Sequence, residues 1–144
     1  RYGVTENDML FVVSSSGINP VPVEMALCAR ENGVPTVAVT SGAYFDDPPR
    51  HASGKRLFEA AELYIDNRVP HGDACVPVGG AGEAMGPLST HASSFILQSV
   101  LLEAAGLCAQ RGVAPPVYRS GNVAGGAEYN AALIDRYLPR VKHL

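Results

Sequence analysis

Met9-Leu-Phe-Val-Val-Ser-Ser-Ser-Gly-Ile-Asn-Pro20 carries the reading of the fold. Met9–Val13 is five apolar residues in a row without alternation, which predicts a strand covered on both faces, as in parallel sheets. Three serines and a glycine follow. Asn19-Pro-Val-Pro22 then predicts a helix start, with Asn19 as the cap and proline in the first turn, where its missing N–H has no partner to lose. Val23, Met25, Ala26, Leu27 and Ala29 carry that helix, and Gly33 ends it.

The same alternation of elements recurs downstream. Thr36–Thr40 reads as a second buried strand. Ala43–Gly54 reads as a loop around Asp46-Asp-Pro-Pro49. Lys55–Ala61 fits a short helix and Leu63–Asp66 a third strand. Strand, helix and strand at this spacing predict right-handed βαβ units and an α/β fold with a parallel sheet. Cys75–Val78 reads as a short edge strand, because Pro77 does not suit a central one. Gly79–Gly82 reads as a flexible link, Asn122–Gly126 as a turn, and Ala127–Leu138 as a terminal amphipathic helix. Leu88–Arg111 is the longest helix, with Ser89 or Thr90 near its cap. It is apolar around its circumference, so it is expected at an internal position or a subunit interface. The first element is already a core-type strand. A preceding set of N-terminal strands, absent from this sequence, is therefore expected.

Composition narrows the class. A length of 144 residues, 47% apolar and 17% charged, suits one domain with a real core. The net charge of −3 argues against a nucleic-acid partner or an acidic membrane surface. No uninterrupted apolar run reaches the roughly 18 residues that span a bilayer, and the polar Arg1–Asp8 does not read as a signal peptide. Cys28, Cys75 and Cys108 are scattered, with neither disulfide nor zinc spacing, and read as free thiols of a cytoplasmic protein. No metal site and no cofactor are expected.

The chemistry concentrates at Ser14–Gly17. In an open parallel sheet, ligands lie beyond the carboxyl ends of the strands. Free N–H groups and the positive end of a helix dipole attract an anion such as phosphate there. Serine hydroxyls add donors, and Gly17 would let backbone approach the ligand. A plain turn with a cap needs the same residues.

Hydrophobic strand, Ser-x-Ser-Gly and an Asn-Pro helix start, with Thr40-Ser41 at the next strand end, resemble the phosphosugar-binding motif of SIS (sugar isomerase) domains. Further segments resemble a bacterial subgroup, the UPF0309 proteins: Arg50-His-Ala-Ser-Gly-Lys-Arg-Leu57, Ile65-Asp-Asn-Arg-Val-Pro-His-Gly-Asp73, Gly86-Pro-Leu-Ser-Thr90 and Ser120-Gly-Asn-Val-Ala-Gly-Gly126. The resemblance implies a flavodoxin-like or Rossmann-like three-layer αβα domain, of which residues 1–144 are the C-terminal part. It implies a sugar phosphate as ligand, held by Ser14, Ser16, Gly17, Thr40 and Ser41, with the sugar toward Ser89 and Thr90. An aldose–ketose isomerase needs an acid/base group at the sugar; the candidates are His51 and Glu83. A non-catalytic phosphosugar sensor and an amino-sugar-phosphate etherase or lyase are the other readings. A homo-oligomer is expected, because half a parallel sheet leaves apolar edges and helix faces exposed.

Overall fold

Residues 3–141 are described by the computed structural model of the chain. Its parallel sheet is assembled from β1 (Leu10–Val13), β2 (Thr36–Thr40) and β3 (Leu63–Asp66), in the order β1-β2-β3. Both pairings are parallel, with Val12 beside Ala38 and Val39 beside Ile65. All five residues of β2 are buried. As the middle strand it spends its backbone groups on both neighbours, and its β-branched Thr and Val suit a pleated surface covered on each side.

Helix α1 (Pro20–Glu31) connects β1 to β2, and α2 (Leu57–Ala60) precedes β3. Val23 and Ala26 of α1, Leu57 and Ala60 of α2, and Val12 and Ala38 of the sheet form the core, with Ala61 beside them. Val12 and Ala38 are register partners, so the two helices cover the same sheet face. Arg30 Nη1 donates to the Ala60 carbonyl at 2.8 Å, tying α1 to the end of α2. The βαβ reading and the parallel sheet thus hold.

Several local expectations need correction. Asn19 stands at the N-cap of α1 but its side chain does not cap. Its Oδ1 accepts from Arg50 Nη1 at 3.1 Å instead, and prolines in the first turn leave fewer N–H groups needing a cap. The helix expected over Lys55–Ala61 is the single turn Leu57–Ala60, started by Arg56, whose N–H donates to Glu59 Oε2 at 2.8 Å. The strands β1 and β3 are not covered throughout: Val13 is 46% exposed and Leu63 66%. Cys75–Val78 corresponds to β4 (Ala74–Pro77), which pairs antiparallel with an unforeseen β5 (Ala84–Pro87), Val76 opposite Met85. The glycine-rich link is the turn of this hairpin.

Helix α3 (Ser89–Gln110) follows β5 directly, and α4 (Gly126–Tyr137) comes after a connection without regular structure. The chain divides into two units, Val4–Ser99 and a second built chiefly from Val100 onward, the division falling inside α3. Within this chain α3 is not an internal helix, since only Ser93 along it is buried. Its length and composition are also enough to cross a bilayer, a test that core helices of soluble proteins pass as well. Gln98, Ser99 and Glu103 interrupt its apolar runs without changing its average character.

Candidate functional site

The turn after β1 is held from several sides. Ser14 N donates to the Val39 carbonyl at 3.0 Å, and the Ser15 carbonyl accepts from Ser41 N at 2.9 Å and from Thr40 Oγ1 at 3.2 Å. Gly17 N donates to Ser14 Oγ at 3.3 Å, and the Gly17 carbonyl accepts from Leu57 N at 2.7 Å. Gly17 has φ +61°, and a Cβ there would lie 2.7 Å from Thr40 Oγ1. The glycine therefore serves the packing of β1, β2 and α2 against one another; close approach of backbone to a ligand is not what this geometry demands of it.

The start of α3 is fixed by a residue from before the hairpin. Asp73 Oδ1 accepts from Ser89 N and Oδ2 from Ser89 Oγ, both at 2.7 Å, while the Asp73 carbonyl accepts from Leu88 N at 3.3 Å. These bonds close the base of the β4–β5 hairpin and place a carboxylate at a helix N-terminus, where the dipole favours it. The Ser89 hydroxyl foremost, against some desolvation and aided by the Ser89 and Leu88 N–H groups, holds the Asp73 carboxyl below the usual carboxylate range.

Between these two structures lies a cleft of about 320 Å³. Ser14 and Ser15 from the turn face Ser89, Thr90, Ser93 and Ser94 from the first turns of α3, with Val13 and Leu97 supplying apolar wall. The lining carries six hydroxyls and no charged side chain. Ser14, Ser89 and Thr90, singled out in the sequence, are thus brought together. Ser15, Ser93 and Ser94 were not singled out, although Ser93 and Ser94 follow Ser89 and Thr90 by four residues, the spacing of one helix face. Behind the cleft, Asn67 Nδ2 donates to Ser15 Oγ at 3.2 Å and to Ser93 Oγ at 3.4 Å.

The remaining candidates lie elsewhere. Ser16 is half-buried and does not line the cleft. Thr40 is 1% exposed and Ser41 fully buried; Ser41 Oγ donates to the Val69 carbonyl at 2.5 Å and accepts from Ala43 N at 3.1 Å. The Thr40 hydroxyl is used in holding the turn after β1, and the Ser41 hydroxyl in tying the end of β2 to Val69 and Ala43. His51 stands beside α1: its Nε2 is 2.7 Å from Glu24 Oε2 and its Nδ1 2.7 Å from Ser53 Oγ. Ser53 N also donates to Nδ1, so Nδ1 is the acceptor and a neutral ring carries its proton on Nε2, toward Glu24. His51 lines a different recess, with Pro20, Val21, Glu24 and Met25. Glu83 is exposed in the hairpin turn, separated from Ser89 by all of β5. Arg56 bonds Glu59 and the carbonyls of Phe45 and Asp47.

A second polar recess, about 430 Å³, opens at the carboxyl ends of β2 and β3 beside Asp66 and Arg68. Burial pushes the Asp66 carboxyl up, but the Gly42 and Arg68 N–H groups and the Arg68 guanidinium outweigh it and hold the group low. Among the described residues no group of three or more His, Cys, Asp or Glu side chains could hold a metal ion.

A model of the SIS domain matches residues 1–41, the stretch that contains the serine turn and Thr40-Ser41. Over 142 residues the chain is 42% identical to a UPF0309 protein of Geobacillus thermodenitrificans, covering 98% of this chain and 57% of that protein. It is 38% identical over 145 residues to one of Listeria monocytogenes (100% and 62%) and 38% identical over 144 to one of Brucella canis (100% and 58%). The chain spans little more than half the length of these relatives. The likeness to SIS domains and UPF0309 proteins read from its motifs is borne out.

Proposed function

We propose, from the premise that the chain is UPF0309-like throughout and carries SIS-domain sequence over residues 1–41, that it binds a phosphorylated sugar in the serine cleft. One observation carries this reading: six hydroxyls converge where a parallel strand ends and the N-terminus of α3 begins. Neutral donors and a helix dipole attract an anion without requiring a lysine or arginine. The phosphate then lies toward Ser14 and Ser15 and the sugar toward Ser89 and Thr90. Ser16, Gly17, Thr40 and Ser41 contribute by shaping the turn rather than by contact. The three-layer αβα form, the cytoplasmic setting and a homo-oligomeric state belong to the same proposal.

The activity considered first is aldose–ketose isomerisation, in which a base moves a proton between the first two carbons of the sugar. A non-catalytic sensor is the second reading. It is favoured by the position of His51 and Glu83, neither of which lines the cleft. Calorimetric titration with a panel of sugar phosphates, free sugars and inorganic phosphate tests the binding itself. Selective binding of a phosphorylated sugar, weakened about tenfold or more in Ser14→Ala/Ser89→Ala, is the expected result. Absence of binding to every phosphorylated compound by the folded protein would sink it. Turnover of the bound sugar that His51→Ala abolishes, with binding kept, separates the enzyme from the sensor.

A further inference from the structure

We infer that Asn67 is the positioning residue that gives the serine cleft its polarity, turning Ser15 and Ser93 into hydrogen-bond donors toward an anionic oxygen. The inference rests on the cleft being the binding site proposed above and names what that site reads.

The amide is oriented by its own neighbours. Val69 N donates to Asn67 Oδ1 at 3.2 Å, which leaves Nδ2 facing the two serines. An amide nitrogen donates and does not accept, so in both contacts the serine oxygen is the acceptor. Nδ2 has two hydrogens, one for each serine. Asn67 is 6% exposed and Ser93 5%, so these bonds form where water competes little. With its oxygen already accepting, each hydroxyl is free to turn its own proton elsewhere. Among the described residues neither hydroxyl donates to a protein atom. Both line the cleft. Ser14 is arranged alike, its Oγ accepting from Gly17 N.

Ser89 has the opposite polarity. Its hydroxyl donates to Asp73, so it presents lone pairs to the cleft, backed by a carboxylate. One wall therefore offers protons and the other accepts them. A phosphate on the Ser14, Ser15 and Ser93 side, with a sugar hydroxyl donating to Ser89, satisfies both walls; an uncharged sugar leaves the donor wall poorly matched, and a bare phosphate leaves Ser89 without a donor.

Asn67→Asp tests this, because a carboxylate accepts where the amide donated. It draws the Ser15 and Ser93 protons inward and faces the anion with a like charge. Titrations with glucose 6-phosphate and inorganic phosphate at pH 7.5 should show wild-type binding reduced about tenfold or more in Asn67→Asp. The deficit relative to wild type should shrink as pH falls through the carboxyl's own titration, since a protonated carboxyl donates again; a merely structural defect would not follow that profile. Equal affinity of wild type and a folded Asn67→Asp overturns the inference and leaves the binding site standing. If Asn67→Asp does not fold, Ser15→Ala and Ser93→Ala decide: several-fold loss in each supports the donor role, and no loss in either overturns it. A wild-type protein that binds neither probe nor any other phosphorylated sugar of the panel overturns the binding site and this inference together.

Discussion

Gly17 shows how little freedom a single position in the turn has. Its φ of +61° disfavours any side chain, and a Cβ would collide with Thr40 Oγ1. Gly33, at φ +71°, has nothing within 4 Å of the same position. Gly17→Ala is therefore expected to cost about 1–3 kcal/mol or more in denaturant unfolding, and Gly33→Ala about 1 kcal/mol. Equal losses would mean that backbone strain alone, not the close approach to Thr40, explains the glycine. Asp73 makes a prediction in pH. Its folded-state pKa is depressed, so its stabilising contribution is present above the unfolded value, about 3.9, and is lost as pH falls through the folded one. The Ser89 amide resonance should stay put from neutral pH down to about 4 and move only below it. A shift near pH 6 would show that another group holds that amide.

Among the elements, α2 has weight out of proportion to its single turn. Leu57 is fully buried between α1 and the sheet, and its N–H anchors the Gly17 carbonyl. Leu57→Ala should cost about 2–5 kcal/mol in chemical denaturation through the cavity it leaves. Leu102 of α3 is 72% exposed, and Leu102→Ala should stay within about 0.5 kcal/mol in the same measurement. The hairpin is the contrasting case. Two strands alone are marginal in water, and β4–β5 has the Asp73 bonds at its base to hold it. Asn at position 73 cannot accept twice with equal strength, so Asp73→Asn should speed amide exchange at Leu88 and Ser89 while leaving β2 protected.

For the molecule as a whole, the unusual quantity is exposed apolar surface. Phe95, Leu101 and Leu102 on α3 are 74%, 63% and 72% exposed, and Val76 and Met85 on the hairpin more than half. Surfaces of this kind favour association. Sedimentation of the chain should show concentration-dependent self-association, weakened by Leu101→Glu/Leu102→Glu. A monomer at every concentration would remove the homo-oligomer from the proposal.

Local pattern determined the βαβ order, the parallel sheet and the serine turn at the end of β1, because strand and helix periodicity and turn chemistry act over a few residues. It also located Ser89 and Thr90 at a helix start, and the family likeness lay in the same short motifs. Tertiary structure alone decided which hydroxyls meet. Asn67 reaches Ser15 across 52 residues and Ser93 across 26, and Asp73 reaches Ser89 across 16. It also turned Thr40 and Ser41 inward and set His51 beside Glu24, 27 residues away. Hydrogen-bond partners this far apart leave no periodic trace in a chain; only the packing that brings their elements together selects them.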